Sequence, residues 1–170
     1  MADFDVAFNW MMDAEDRSRK YAVVPDYPPG SHAISGINSS SFPGAYQAIA
    51  ALPQSTRGPA IENFYRTNFW SQWFAQLTSD EVAKRVFDMA VNGGPGTAVK
   101  LLQEAIGDCG QTASIDGKWG PNTVAAANSC TESELVLAFK AARAQRYRDI
   151  VERNPAESGF LDAWLARAAA

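Results

Sequence analysis

The sequence has 170 residues, of which 46% are hydrophobic and 20% charged, as expected for one globular domain that can bury a core. A net charge of -4 argues against nucleic acid as the main partner, because phosphate contacts need a basic surface. No stretch is apolar over the roughly 20 residues that a bilayer-spanning helix needs. The first ten residues lack the basic and apolar regions of a secretory signal, so we expect a soluble protein that stays in the cytoplasm until it is released or exported.

The first half of the chain shows helical periodicity interrupted by one long loop. Apolar residues at i, i+3 and i+4 spacing predict a helix from residue 3 to about 20. Residues 21–44 contain four prolines, which predicts a loop, and long loops in compact domains are often functional. Two further helices are predicted at 44–52 and 59–76. No alternating strand pattern persists, so the sequence predicts no sheet.

The second half of the chain consists of helices with recognisable start and stop signals. Capping boxes at Thr78–Glu81 and Thr131–Glu134 predict two helix starts. The first helix ends at Gly93-Gly94-Pro95, and Pro95 opens the next one, which Gly107 ends. The remaining predicted helices begin at Pro121, run to about 153 from the second capping box, and cover roughly 157–168.

Glu15 is the candidate general acid. It lies near the C-terminal end of the first helix, on the same face as Phe8 and Met11. Apolar neighbours and the negative end of the helix dipole both favour the protonated carboxyl, which is the state a proton donor to a glycosidic oxygen needs. The alternative is an ordinary solvated helix end, since Asp13, Asp16 and Arg17 flank it.

The loop offers possible partners for this acid in Asp26, Ser31, His32 and Ser35. Asp26 is its only carboxylate, and we consider it either a second catalytic group, acting as base or electrostatic stabiliser, or a turn-forming residue beside prolines. His32 is the only histidine. Because the chain has no G-x-S-x-G motif, a surface position suits His32 better than a catalytic triad.

The helix predicted at 79–92 carries Glu81, Arg85, Asp88 and Asn92 on the face opposite its apolar one. This is either a solvated face with ion pairs at i, i+4 spacing or a cleft wall on which Asp88 and Asn92 bind sugar hydroxyls and acetamido groups. The long helix that follows places Arg146 on its apolar stripe, where a buried arginine would need an acidic partner.

Six aromatic residues fall between residues 64 and 74. Aromatic stripes on helices most often belong to the core, and we expect this of Phe64 and Phe74. Tyr65, Trp70 and Trp73 belong either to the core or to a surface that stacks on sugar rings.

The two cysteines, Cys109 and Cys130, have no C-x-x-C spacing and no neighbouring histidine in the sequence, which argues against a zinc site. They are either two free thiols or one disulfide, the latter if the protein works outside the cytoplasm.

Four segments share their order and residue types with one known family. They are Tyr65-Arg66-Thr67-Asn68-Phe69-Trp70, Phe87-Asp88-Met89-Ala90-Val91-Asn92-Gly93-Gly94-Pro95, Asp116-Gly117-Lys118-Trp119-Gly120-Pro121-Asn122-Thr123 and Phe160-Leu161-Asp162-Ala163-Trp164-Leu165-Ala166-Arg167. In these segments the chain resembles glycoside hydrolase family 108, the N-acetylmuramidases with a C-terminal peptidoglycan-binding-like region. The family's first helix ends in Glu-Gly-Gly, where this chain has Glu15, Asp16 and Arg17. Because glycine permits backbone geometry that other residues resist, we expect an altered loop after Glu15.

The resemblance implies an all-α fold, with a lysozyme-like catalytic part at 1–92 and a helical peptidoglycan-binding-like part at 93–170. It implies hydrolysis of the β-1,4 bond between N-acetylmuramic acid and N-acetylglucosamine. Glu15 would be the acid, and Asp26 or a water would complete the reaction. Ser35, Tyr65, Trp70, Asp88 and Asn92 are the expected substrate-binding residues.

Two other functions remain open, namely a lytic transglycosylase and a non-catalytic peptidoglycan-binding or assembly protein on the same scaffold. No metal or cofactor is implied. The expected partner is bacterial peptidoglycan, met by a monomer in the periplasm or cell wall after a holin or an export system has supplied passage.

Overall fold

The computed structural model describes all residues from 1 to 170 and is mostly helical, which confirms the predicted fold class. The eight helices are α1 (Phe4–Glu15), α2 (Pro43–Ala50), α3 (Gly58–Asn68), α4 (Asp80–Gly93), α5 (Pro95–Asp108), α6 (Pro121–Ser129), α7 (Glu132–Arg153) and α8 (Leu161–Ala169). Three 3₁₀ turns cover Gln54–Thr56, Phe74–Gln76 and Pro155–Phe160. None of the helices combines the length and the apolar character that a membrane span requires.

Contacts between Cα atoms divide the chain into two compact units. One unit is Phe4–Ser71, and the other combines Met1–Asp3 with Gln72–Ala170. Helix α4, which the sequence places in the catalytic part, therefore has most of its contacts with the C-terminal helices.

A small antiparallel sheet occupies the segment predicted as a loop, so the prediction of no strands was wrong. Its strands are β1 (Val23–Asp26), β2 (Ser31–Ile34) and β3 (Ile37–Asn38), in the order β1-β2-β3. All of β1 is exposed, and only β2 shows a partial inward and outward alternation. Because the strands are this short and one face is barely buried, no persistent two-residue periodicity marks them in the sequence.

Helix α1 ends at Glu15, before the predicted end near residue 20. It buries Phe4, Ala7, Met11 and Met12. After Glu15 the backbone turns sharply, and both Arg19 (φ 51°) and Tyr21 (φ 52°) adopt left-handed conformations. Helix propensity alone does not reveal this exit, because side-chain hydrogen bonds to the loop hold it.

The starts of α4 and α7 differ in detail from the predicted capping boxes. The cap of α4 is Ser79, whose hydroxyl accepts a hydrogen bond from the N–H of Val82 at 3.1 Å. Thr78 instead bonds to Asn128, and Thr131 makes no side-chain cap bond. The helix positions were thus predicted correctly. Thr131 is the N-cap residue of α7 as predicted, but without the side-chain bond, whereas Ser79 rather than Thr78 caps α4.

The C-terminal unit is built around α4, α5 and α7. Helix α7 buries Leu135, Phe139, Arg143 and Tyr147 along one stripe. The buried arginine is therefore Arg143, one turn before the predicted Arg146, which is only half-buried.

Candidate active site

Glu15 lies against the turn that joins β2 to β3. It is the last residue of α1 and is half-buried. A Cβ built on Gly36 would lie 2.5 Å from Oε2 of Glu15 and 2.8 Å from the hydroxyl oxygen of Tyr65. Such distances are shorter than any ordinary carbon–oxygen contact, so the carboxylate occupies the space that a larger residue at position 36 would need.

The turn is a two-residue hairpin connection made by Ser35 and Gly36, with φ of 48° and 82°. Positive φ at both central residues is typical of the type I′ turn. The Tyr65 hydroxyl donates a hydrogen bond to the Ser35 carbonyl at 2.7 Å. Since this carbonyl immediately precedes Gly36, the bond fixes the backbone on which the Glu15 carboxylate rests.

Tyr65 therefore has a different role from the one predicted. Its side chain is 1% exposed and packs against the rings of Phe8 and Phe64, at centroid distances of 6.0 and 5.2 Å. A ring this deeply buried presents no face to a sugar, which corrects its assignment to substrate stacking. Tyr65 is a positioning residue for the turn beside Glu15.

Asp16 connects the helix end to the same turn. Its carboxylate accepts hydrogen bonds from the Ser35 hydroxyl at 2.9 Å and from the Tyr21 N–H at 2.8 Å. Partial burial opposes ionisation, but these bonds, with further ones from Lys20 and Ser18, outweigh it and lower the pKa of Asp16 below its ordinary value of 3.8. Ser35, predicted to bind substrate, thus has its hydroxyl engaged by Asp16.

The conformation of Asp16 and Arg17 bears on the expectation that replacing the two glycines of the Glu-Gly-Gly motif alters the loop. Neither Asp16 nor Arg17 has a positive φ; the left-handed residues come later, at Arg19 and Tyr21. The expected conflict between these side chains and the backbone therefore does not arise at the two substituted positions. In this chain a carboxylate organises the loop by hydrogen bonding.

A second set of bonds holds the loop from the other side. The buried guanidinium of Arg57 donates to the carbonyls of Tyr21, Ala50 and Leu52. The amide of Gln54 donates to the Lys20 carbonyl at 2.7 Å. The loop after Glu15 is consequently fixed at both ends.

Asp26 lies at the end of β1 and is exposed. One of its oxygens accepts a hydrogen bond from the Asn38 side-chain amide at 2.7 Å, and the other from the N–H of Tyr27 at 2.8 Å. It pairs with Ser31, whereas Val23 pairs with Ile34 beside the turn. At about 3.3 Å per residue, Asp26 is roughly 10 Å along the ladder from the turn that contacts Glu15.

Trp70 follows α3 and is half-buried, with its ring edge-on to Phe4 at a centroid distance of 5.5 Å. Its partly exposed ring keeps it a candidate for stacking on a sugar. Phe64 and Phe74 are buried, as predicted, and His32 is exposed.

Asp88 and Asn92 were predicted to bind sugar, and the structure assigns Asp88 a different role. Asp88 is 0% exposed and forms salt bridges of 2.6 Å with Arg143 and 2.7 Å with Arg167. With both oxygens engaged and none accessible, it has nothing to offer a ligand. Asn92 keeps an exposed surface, but its side-chain oxygen accepts a hydrogen bond from the Tyr147 hydroxyl at 2.5 Å.

Neither Gly36 nor Asp16 was predicted from the sequence to be part of the site. A signal for Gly36 was present, because Ser-Gly between two isoleucines is typical of a tight hairpin turn. Asp16 gave no such signal, since its partners Ser35 and Tyr21 are identified only by the folded loop.

Family models match two adjoining parts of the chain. Residues 21–94 match "Glycosyl hydrolase 108" and residues 97–169 match "Predicted Peptidoglycan domain". The first match begins after Glu15, so the candidate acid lies outside the matched range. None of the curated proteins matches the sequence.

Among solved structures, the fold is similar to that described as "Structure of Brucella abortus SagA". The TM-score is 0.70 at 23% sequence identity, over 98% of this chain and 89% of that chain. An identity this low supports the fold alone. The two family matches together span most of the sequence, and they support a peptidoglycan-acting hydrolase in which a region similar to glycosyl hydrolase 108 is followed by a predicted peptidoglycan domain.

Proposed function

We propose that this protein hydrolyses the β-1,4 bond between N-acetylmuramic acid and N-acetylglucosamine in peptidoglycan, with Glu15 as the general acid. The observation that carries the proposal is the placement of the Glu15 carboxylate against the Ser35-Gly36 turn. Asp16 and Tyr65 hold that turn through Ser35. A general acid must meet the leaving oxygen in one geometry, and this arrangement supplies the fixed support that the task requires.

In the proposed reaction, the protonated Glu15 carboxyl donates its proton to the glycosidic oxygen as the bond to the anomeric carbon breaks. The anomeric carbon develops positive charge, and a water attacks it to give a reducing end. Glu15 is half-buried at the end of α1, against the turn made by Ser35 and Gly36.

Asp26 is the proposed second carboxylate. Its carboxylate is exposed at the end of β1 and is oriented there by its bond to Asn38. Retaining glycosidases hold their two carboxyl groups about 5 Å apart, whereas inverting enzymes leave roughly 6.5–9.5 Å for a water. Along the backbone, Asp26 lies roughly 10 Å of strand from the turn that contacts Glu15, and we take this wide backbone separation to favour the second arrangement. We therefore propose that Asp26 acts on a water rather than on the sugar directly.

Digestion of purified peptidoglycan tests this function. Products with a reducing N-acetylmuramic acid end, identified by mass spectrometry, are expected. Reducing N-acetylglucosamine ends would show that the other glycosidic bond is cut and would overturn the bond assignment. A 1,6-anhydro end would identify a lytic transglycosylase, the alternative that also uses a single glutamate.

A non-catalytic binding or assembly role is the third possibility. The replaced glycines after Glu15 suggested it, but Asp16 holds the loop without strain at the substituted positions, which favours a working site. Wild-type protein that binds sacculi without releasing soluble muropeptides would establish the binding role instead. We place the activity in the periplasm or cell wall, reached through a holin or an export system; fractionation of cells before and after lysis tests this.

A further inference from the structure

We propose that a groove between α5 and α7 binds the charged peptide stem of peptidoglycan, with Arg146 holding a stem carboxylate. The groove has a volume of about 780 Å³ and lies wholly in the part of the chain that matches the predicted peptidoglycan domain. The choice of ligand rests on the proposed function, whereas the existence and charge of the groove do not.

The shape of the groove comes from small side chains. Ala141, Ala142 and Ala144 on α7 line it, and Leu101 contributes from α5. Because alanine stops at Cβ, the two packed helices leave an open channel here. These small side chains therefore leave room for an extended chain of small residues.

Charged side chains of both signs surround this floor. The cations are Arg146, Arg148 and Arg153, and the anions are Glu104, Asp108 and Asp149. Such a mixture suits a ligand that carries both carboxylates and an amine. Peptidoglycan stems have this character, since they combine the carboxylates of D-glutamate and of the terminal residue with the amine of a diamino acid.

Arg146 is the residue that points to an anion. Its Nε is buried yet has no hydrogen-bond partner. A buried N–H that stays unpaired costs free energy, and a guanidinium matches a carboxylate through two parallel hydrogen bonds. A carboxylate in the groove would pair with this guanidinium, whose Nε is satisfied by no residue of the chain.

The groove does not suit a glycan strand. None of its lining residues is aromatic, whereas sites for sugars commonly stack the pyranose face on an aromatic ring. The peptide and the glycan are thus expected to be recognised by different surfaces of the protein.

Binding measurements on the full chain carrying Glu15→Gln test the proposal without turnover. The probe is the free tetrapeptide L-Ala-D-Glu-meso-diaminopimelate-D-Ala, with a chitin oligosaccharide as the sugar comparison. We expect the tetrapeptide to bind and Arg146→Gln to weaken it by about 10-fold or more, as for loss of a charge-assisted hydrogen bond. Lys100→Gln, which removes an exposed charge of α5 outside the groove, should leave the affinity unchanged.

Thermal unfolding separates binding from a structural role for Arg146. Because its Nε has no partner to lose, Arg146→Gln should keep or raise the melting temperature. Asp149→Asn gives an independent variant, expected to weaken the tetrapeptide but not its amine-acetylated form. Equal tetrapeptide affinity in Arg146→Gln and its parent, or no affinity in the parent, would overturn the proposal. Since these measurements use an inactive chain, failure here leaves the assignment of Glu15 standing, and failure of hydrolysis leaves the groove standing.

Discussion

Glu15 and Asp88 are two carboxylates on helices that differ in burial and in their partners. Asp88, in the middle of α4, is fully buried between Arg143 and Arg167. Glu15, at the end of α1, is half-buried and rests on the Gly36 backbone. The Asp88 carboxylate is enclosed by two arginines and cannot reach a substrate, whereas Glu15 keeps partial access to solvent. The comparison shows that burial and pairing distinguish a structural acid from a catalytic candidate.

The largest effect expected is on activity, from Glu15→Gln. The amide keeps the shape of the side chain but cannot donate a proton to the leaving oxygen, so turnover should fall by about 10²–10⁴-fold. The melting temperature should hold. Turbidity loss of peptidoglycan measures activity, and Asp13→Asn, on the same helix and exposed, is the matched control. Activity near wild type in Glu15→Gln would remove the acid from our mechanism, and Asp26→Asn should cost less than Glu15→Gln.

Asp88→Asn tests the structural carboxylate of this comparison and is expected to destabilise the fold. Losing the charge leaves Arg143 and Arg167 without their counter-ion in a buried site, which should cost about 3–5 kcal/mol in the free energy of unfolding. Urea denaturation measures the loss. Glu62→Gln, which removes an exposed partner of Arg66, should change stability by about 1 kcal/mol or less. Equal midpoints for the two variants would show that the buried cluster is not structural.

Gly36→Ala tests the support beneath Glu15. The added Cβ meets the Glu15 carboxylate, and φ of 82° is unfavourable for alanine. A displacement of about 1 Å at the acid should lower turnover by roughly 10²-fold. Gly44→Ala is the control, because nothing lies within 4 Å of its new Cβ and its φ is ordinary. Retained activity in Gly36→Ala would mean that the turn does not position the acid.

A smaller effect on stability is expected from the cysteines, and only if they are oxidised to a disulfide. Burial, with the nearby Cys109 thiol, raises the pKa of Cys130 to about 11, so at neutral pH the Cys130 thiol stays protonated and reacts slowly. A disulfide closing this loop of about 20 residues should add about 3 kcal/mol of stability. Non-reducing mass spectrometry of protein exposed to a glutathione redox buffer, followed by urea denaturation, measures this. Oxidation without any gain in stability would contradict the prediction.

The smallest effect concerns Asp16 and pH. Its pKa is lower in the fold than its ordinary value of 3.8, so ionised Asp16 stabilises the protein above that value. The contribution is lost as pH falls through the folded pKa. Wild type should therefore exceed Asp16→Asn in urea midpoint at pH 7, and the gap should narrow at pH 3. A gap of the same size at both pH values would show that the hydrogen bonds of the ionised carboxylate are not its cause.

Local sequence signals determined most of the helical fold. Prolines and glycines marked most helix boundaries, and the apolar periodicity identified α4, α5 and α7, because a helix that buries one face must repeat its apolar residues at helical spacing. The sequence also pointed to the candidate acid, since Glu15 shares the buried face of α1 with Met11. The sequence did not reveal the three strands, because strands of two to four residues are too short to show a periodicity.

Only the tertiary structure decided what each polar side chain does. Asp88 and Glu15 both accompany apolar residues in the sequence, yet one meets two arginines from α7 and α8 and the other meets a hairpin turn. Arg143 rather than Arg146 became the buried arginine, and Tyr65 became a support for the turn. These roles depend on partners far away along the chain, and a hydrogen bond or ion pair is made only where folding brings both groups within about 3 Å of each other.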